Sequence, residues 1–484
     1  MLWLQTRPRP HGRDVVQTLA ATLIALLLAP PVAGAHGIAQ RSDLPIPAWL
    51  FAWGAGVVLI ASFAGLAALW PSPRLAAAAR GGRSLRVPRA ADTVGAVAGV
   101  AAFVLVVYAG LSGNQSPTAN LAPTAIFVIF WVGIPVASAI GGDLFALISP
   151  WRAIGRAANW AATSIGRGAV PQPLAYPQWL GRFPAAAGIL AFAWVELVLV
   201  GRDDPSTLAI LALAYAGTML VGMSVFGIET WTRNADPFAV YFGLFARLSP
   251  LAWDAGHVRV RAPLSGATTL DPGPGAMALL CVAIGSTSFD GFTQGAVWVG
   301  QNGLGERLAR VMGHLGLGPT RASEAAGTIG LIAMVLAITA VVHTGLWGVA
   351  RVTSAPDGRS LGGRFAHSLI PIALAYVVAH YFSLLIFQGQ AVGYLISDPL
   401  GTGEDLFGSA AWAIDYNVIS ANGIWYVQVG ALVTGHVAGL VLAHDRALEL
   451  WDDARIAVRS QYWLLLVMVA LTSLGLWLLS APAQ

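Results

Sequence analysis

Five ionisable side chains fall inside stretches that are otherwise apolar: Glu196, Asp290, His343, His380 and His436, with His367 and His444 near the edges of such stretches. If these stretches cross a membrane, a buried Asp costs about 2.5–3.5 kcal/mol, so such residues are functional candidates by default. A carboxylate with two or three imidazoles is a donor set for a divalent transition metal, zinc and copper included. On this reading Asp290, His380 and His436 are three metal ligands from three different helices. His36 is a further candidate ligand. If the chain is cut just before it, its free amine and its imidazole could chelate one ion together, an arrangement that suits copper. Asp290 and Glu196 are the candidate catalytic carboxylates, Asp290 as ligand or general base and Glu196 in support. Gln388 and Gln390 lie one to two turns beyond His380 and could orient ligands or water. The plain alternative for each histidine is a hydrogen bond across a helix interface.

The chain has no H-E-x-x-H, C-x-x-C or G-x-S-x-G motif, no phosphate loop and no dinucleotide fingerprint. The case for chemistry therefore rests on where these residues lie rather than on a spacing signature. The single cysteine, Cys281, sits in an apolar run, which excludes a disulfide within the chain and makes a reactive thiol a poor expectation.

The elements that must position these groups follow from composition. Of 484 residues, 56% are hydrophobic and 10% charged, with a mean hydropathy of +0.68. Soluble domains carry about 25% charged residues. Apolar runs of about twenty residues recur along the chain, the pattern of an all-α, polytopic transmembrane helical bundle in contact with lipid. That excludes a cytosolic enzyme, a nucleic-acid binder and a disulfide scaffold.

Residues 1–35 have the order of a secretory signal peptide. Arg7, Arg9 and Arg13 precede a short apolar stretch, and Ala33-Gly34-Ala35 supplies a small-residue cleavage site. An uncleaved anchor is the alternative. Residues 36–484 then form one transmembrane domain with ten expected spans: 48–70, 94–113, 122–141, 184–201, 206–227, 275–299, 326–350, 366–387, 423–444 and 461–480. All 27 basic residues are Arg, and 19 fall in alternate connections, 71–93, 142–183, 228–274, 351–365 and 445–460. The asymmetry predicts that the mature N-terminus and the C-terminus lie outside. At about 1.5 Å per residue, Asp290 and His380 then sit about 21–22 Å above the inner ends of their spans, in the outer half of the membrane.

Two inner connections resemble each other. One reads Asp143-Leu-Phe-Ala and then Ser149-Pro150-Trp151-Arg152, the other Asp236-Pro-Phe-Ala and then Arg247-Leu-Ser249-Pro250. Both read as helices lying at the inner interface, and together as traces of an internal repeat. The longest outer segment, 388–422, holds Asp398, Glu404, Asp405 and Asp415 and no basic residue. It reads as an acidic lid, with Arg307, Arg310, His314 and Arg321 available to pair with it.

Several short stretches carry a family resemblance: Ala35-His36-Gly37-Ile38, Arg41-Ser42-Asp43-Leu44-Pro45-Ile46-Pro47, Ser288-Phe289-Asp290-Gly291, Thr434-Gly435-His436-Val437-Ala438-Gly439 and Ala443-His444-Asp445-Arg446-Ala447. With them the mature chain resembles the multi-pass bacterial membrane proteins known as fenitrothion hydrolases. The resemblance implies hydrolysis of an apolar organophosphate triester, releasing a nitrophenol and a dialkyl phosphorothioate. Such substrates partition into lipid and could reach an outer-half site laterally. A metal held by His380, His436 and Asp290 would polarise the phosphoryl group and activate water. Two other classes remain open: a transporter for a copper-like metal ion or small solute, and a haem protein with His343 and His436 as axial ligands.

Overall fold

A backbone in hydrocarbon must satisfy its hydrogen bonds internally, so apolar runs of this length fold as helices. The computed structural model describes residues 48–88, 90–165, 172–254, 256–353 and 358–480. The expected signal peptide and His36 lie outside the described residues. The chain order is α1 (Ala48–Leu69), β1 (Ser84–Arg86), α2 (Ala90–Ser112), α3 (Leu121–Gly141), α4 (Pro150–Ile165), α5 (Phe183–Leu197), α6 (Pro205–Phe226), α7 (Ile228–Asn234), α8 (Pro237–Ala246), β2 (Leu251–Asp254), β3 (His257–Val260), α9 (Ala276–Thr293), α10 (Leu304–His314), α11 (Pro319–Thr353), α12 (Ile370–Gln388), α13 (Ala421–Leu450) and α14 (Ala454–Ser480). Shorter helical turns join them.

Among the described residues eight helices are long and apolar enough to cross a membrane: α2, α3, α6, α9, α11, α12 within its longer helical run Leu361–Leu395, α13 and α14. This is the all-α bundle of a multi-pass membrane protein. Of the other two expected spans, Trp53–Leu69 in α1 and Phe183–Leu197 in α5 are shorter apolar helices.

Packing explains part of the motif content. Gly435 and Gly439, one turn apart on α13, face α12. A Cβ at Gly435 would stand 2.3 Å from Ala375 Cβ and 2.7 Å from the Pro371 carbonyl oxygen, and one at Gly439 would stand 2.7 Å from the Ser368 carbonyl oxygen. Small residues at this spacing let two backbones approach closely where no hydrophobic effect drives association.

The 228–274 connection is not an interfacial loop. Within it α8 is driven into the core, with Tyr241, Phe242 and Phe245 at 1% exposure or less. Phe238 and Phe242 meet Phe130 of α3 edge-on at 4.7 and 5.2 Å. The reason is composition: Phe238, Tyr241, Phe242 and Phe245, spaced i, i+3, i+4 and i+7, form one aromatic face, and Val240 and Leu244 make the opposite side apolar as well, which leaves little side for water. The resemblance between the two inner connections has a local cause. Asp143 accepts from Ala146 N and Asp236 from Ala239 N, each at 3.1 Å, so both are side-chain caps of a helix that follows. Asp236 also accepts from Trp151 Nε1 at 2.7 Å and from Tyr215 OH at 2.6 Å.

The strands form one small antiparallel sheet, ordered β1–β3–β2, at the end of the bundle where α3 stops. The acidic segment lies at the other end. It is folded against the α2–α3 turn, with Asn114 N donating to Leu400 O at 2.7 Å and Leu121 N to Pro399 O at 3.2 Å. Three of its four carboxylates are engaged internally, Asp415 accepting from the Asn417 amide at 2.8 Å. Asp405 accepts from Ser397 Oγ at 2.6 Å, and Asp398 from the Thr402 and Gly403 amides. None of the four ion pairs among the described residues joins this segment to Arg307, Arg310, His314 or Arg321.

Candidate active site

Asp290 stands three residues before the end of α9, in a helix that stays regular through Ser286-Thr287-Ser288. Those hydroxyls turn back onto the Ala283 and Ile284 carbonyls of the same helix. The carboxylate faces α12. Its Oδ2 lies 2.8 Å from His380 Nε2 and accepts from Tyr381 OH at 2.8 Å. Successive residues of a helix turn by about 100°, so His380 and Tyr381 straddle one oxygen. The Asp290 and His380 side chains are 15% and 23% exposed.

An ionised carboxylate only accepts hydrogen bonds, so in this arrangement His380 Nε2 carries the proton and donates. The other ring nitrogen, Nδ1, is then the basic one in the neutral imidazole. It lies over Gly291, where a Cβ would stand 3.6 Å from Nδ1 and 3.3 Å from Leu478 Cβ. A side chain at 291 would pack against that nitrogen, which has no hydrogen-bond partner among the described residues. Leu478 continues into an apolar notch of about 240 Å³ bordered by Phe292, Val297 and Trp477.

The second carboxylate, Glu196, ends α5 beside Asp290, Tyr381 and Trp131, with the Arg202 charge bearing on both carboxylates. Its Oε2 is buried without a hydrogen-bond partner, and so is Trp131 Nε1. Trp131 lies in a wide-turn π-helical stretch of α3, Thr124–Gly133, of the sort that recurs at functional sites. Tyr241 of α8 stacks on it with ring centroids 5.2 Å apart.

Asp290, His380 and Glu196, expected from depth alone, are thus neighbours. His436 is not part of this cluster. Its Nδ1 bonds the Leu432 carbonyl at 2.7 Å within α13, its ring lies 6.2 Å from Tyr376, and its Nε2 is buried without a partner. Among the described residues there is no group of three or more His, Cys, Asp or Glu side chains that could hold a metal. The cluster brings together two carboxylates and one imidazole, with Asp290 and His380 already bonded to each other and His436 elsewhere, which does not fit the expected Asp290–His380–His436 metal site. His343 is exposed on α11 and bonds the Thr339 carbonyl, whereas His436 is fully buried on α13, so one residue of the expected haem-ligand pair faces outward and the other inward. Gln390 does not serve the site either. It clamps Asp415 of the acidic segment, donating to its carbonyl at 3.1 Å and accepting from its amide at 3.0 Å.

The second half of the α13 motif is a clasp. Asp445, fully buried, accepts from Trp70 Nε1 at 3.1 Å, Arg74 N at 2.7 Å and Leu75 N at 3.2 Å. His444 Nε2 meets the Trp70 carbonyl at 3.0 Å, and its Nδ1 meets Gln461 Oε1 at 2.8 Å. These two residues tie the corner after α1 to α13 and α14.

Two partners at the site were missed from sequence. Tyr381 was legible as a phenol next to a candidate histidine. Trp131 was not, because a tryptophan in an apolar run is ordinary until its neighbours are known. No family model, no curated protein and no solved structure matches this chain.

Proposed function

We propose that this protein hydrolyses apolar organophosphate triesters of the fenitrothion type, with His380 as general base and Asp290 holding it in the productive tautomer. The observation that carries the reading is the Asp290–His380 bond, with the second imidazole nitrogen left over Gly291 beside an apolar notch. Water at that nitrogen loses its proton as it attacks phosphorus, and the nitrophenolate leaves. The imidazolium formed is stabilised by Asp290, while Tyr381 keeps the carboxylate in place. A positioned base of this sort contributes about 10²–10⁴-fold to a rate. The lipid-soluble substrate enters through the Phe292–Trp477 notch. The chain then lies in a bacterial inner membrane with both mature termini and the 388–422 segment outside, following its arginine distribution.

The test is nitrophenol release from the triester by the purified chain in nanodiscs, with His380→Gln beside it at matched expression. Release by the wild type, lost about 10²-fold or more in the variant, is expected. Equal release by both, or none by the wild type, overturns the reading. The unpartnered Glu196 oxygen favours a second reading, proton-coupled passage of a small solute. Solute uptake into proteoliposomes that follows a pH gradient and vanishes in Glu196→Gln would establish it.

A further inference from the structure

At the end of the bundle opposite the acidic segment, a cavity of about 290 Å³ opens where α3 stops and α7, α8 and β2 converge. Arg152, Arg182, Arg233, Arg247 and Arg261 line it, against two carboxylates, Asp143 and Glu229. The arginines outnumber these carboxylates, both of which already have partners. Glu229 is bridged by Arg152 and by Arg156, the latter at 2.8 Å. Asp143 Oδ1 caps the turn at Ala146.

Arg247 lies between the Arg182 and Arg261 charges. Burial first, and then those two guanidinium groups, push it down to about 10, against the opposing pull of the Asp143 and Asp271 carboxylates. Its Nη1 donates to Thr269 Oγ1 at 2.7 Å, Arg182 donates to the Asp271 carbonyl, and Arg261 donates to the Ala246, Arg247 and Ser249 carbonyls. All these acceptors are neutral. None of the four ion pairs among the described residues includes Arg182, Arg233, Arg247 or Arg261. Like charges held together in a partly desolvated cleft repel, and an anion placed between them removes that penalty. Planar guanidinium forks match the oxygens of phosphate in particular. The volume is at the low end of the about 300–1,000 Å³ of small-molecule sites, which suits a compact head group rather than a nucleotide. Apolar side chains such as Phe145, Leu244 and Trp253 complete the wall.

We propose that this arginine-lined cavity binds a phosphate group, either as free phosphate or as the head of an anionic phospholipid. It is separate from the Asp290–His380 site and stands without any reading of that site.

Thermal unfolding of the full chain in a neutral detergent tests it, with sodium phosphate compared against sodium chloride at equal ionic strength. A second arm uses nanodiscs of phosphatidylcholine with and without phosphatidylglycerol. Stabilisation by phosphate identifies the free anion as a source, and stabilisation only by phosphatidylglycerol identifies the lipid. In either case Arg247→Gln is expected to weaken the apparent affinity about tenfold or more. Arg233 is exposed and makes no hydrogen bond among the described residues, so Arg233→Gln reports the same loss without disturbing the fold. No response to either probe, or an undiminished response in both variants, overturns the proposal.

Discussion

Replacing Asp445 with alanine should be among the most damaging single changes in the chain, although the residue touches no part of the candidate active site. The carboxylate is fully buried and accepts from three donors, the Trp70 indole and the Arg74 and Leu75 amides. Alanine leaves all three without this acceptor, the Leu75 amide in a buried position and the Trp70 and Arg74 donors in half-buried ones. Each orphaned donor costs about 1–3 kcal/mol, and relief of the buried charge offsets part of that, so a net loss of about 3–5 kcal/mol is expected. With about 2.1 cal/mol/K of unfolding entropy per residue, this lowers the melting temperature by about 4 °C or more. Helices that persist in detergent make the true entropy smaller and the shift larger. Asp445→Asn keeps one acceptor oxygen and should lose about half as much. The comparator is Asp453→Ala, which removes one bond, to the Arg455 amide. Thermal unfolding of the purified variants in one detergent measures all three. Equal midpoints for Asp445→Ala and Asp453→Ala would refute the claim that the 70–75 corner hangs on this carboxylate.

Further predictions concern other links in the chain of reasoning. Tyr381→Phe should slow triester hydrolysis about tenfold, much less than His380→Gln, because Asp290 keeps its bond to His380; nitrophenol release measures the difference. Gly435→Ala should cost about 1–3 kcal/mol, since its Cβ meets Ala375 Cβ and the Pro371 carbonyl and pushes α12 from α13; unchanged thermal stability would contradict that contact. At Glu229 burial raises the carboxyl, but Arg156 and Arg152 together outweigh it and hold the group below its ordinary 4.5. Its contribution to stability is therefore complete above about pH 5 and lost as the pH falls through the lowered value. Glu229→Gln should flatten the acid limb of stability against pH, and an unchanged limb would show that the pair contributes nothing.

Composition and hydropathy determined the class of molecule. A chain with 10% charge and apolar runs of about twenty residues has few folds other than a bundle of membrane-length helices. Helical rise was enough to put Asp290, His380 and Glu196 at similar depth, because depth along a helix is a one-dimensional property. Their azimuth and partners are not. Whether His436 joins Asp290 depends on how α13 is turned against α12, and Gly435 and Gly439 set that contact. The burial of α8 was hidden for the same reason: ten apolar residues between arginines suit an interface or a core equally, and only Phe130, Trp131 and Phe192 waiting in α3 and α5 decide for the core. The arginines of 142–183 and 228–274 were visible as orientation signals. Their convergence on one cavity was not, since it joins residues as far apart in the chain as Arg152 and Arg261. Periodicity and composition act locally along the chain and were readable from it, whereas the site, the clasp and the arginine cavity are contacts between helices, and those exist only once every helix has been rotated and packed.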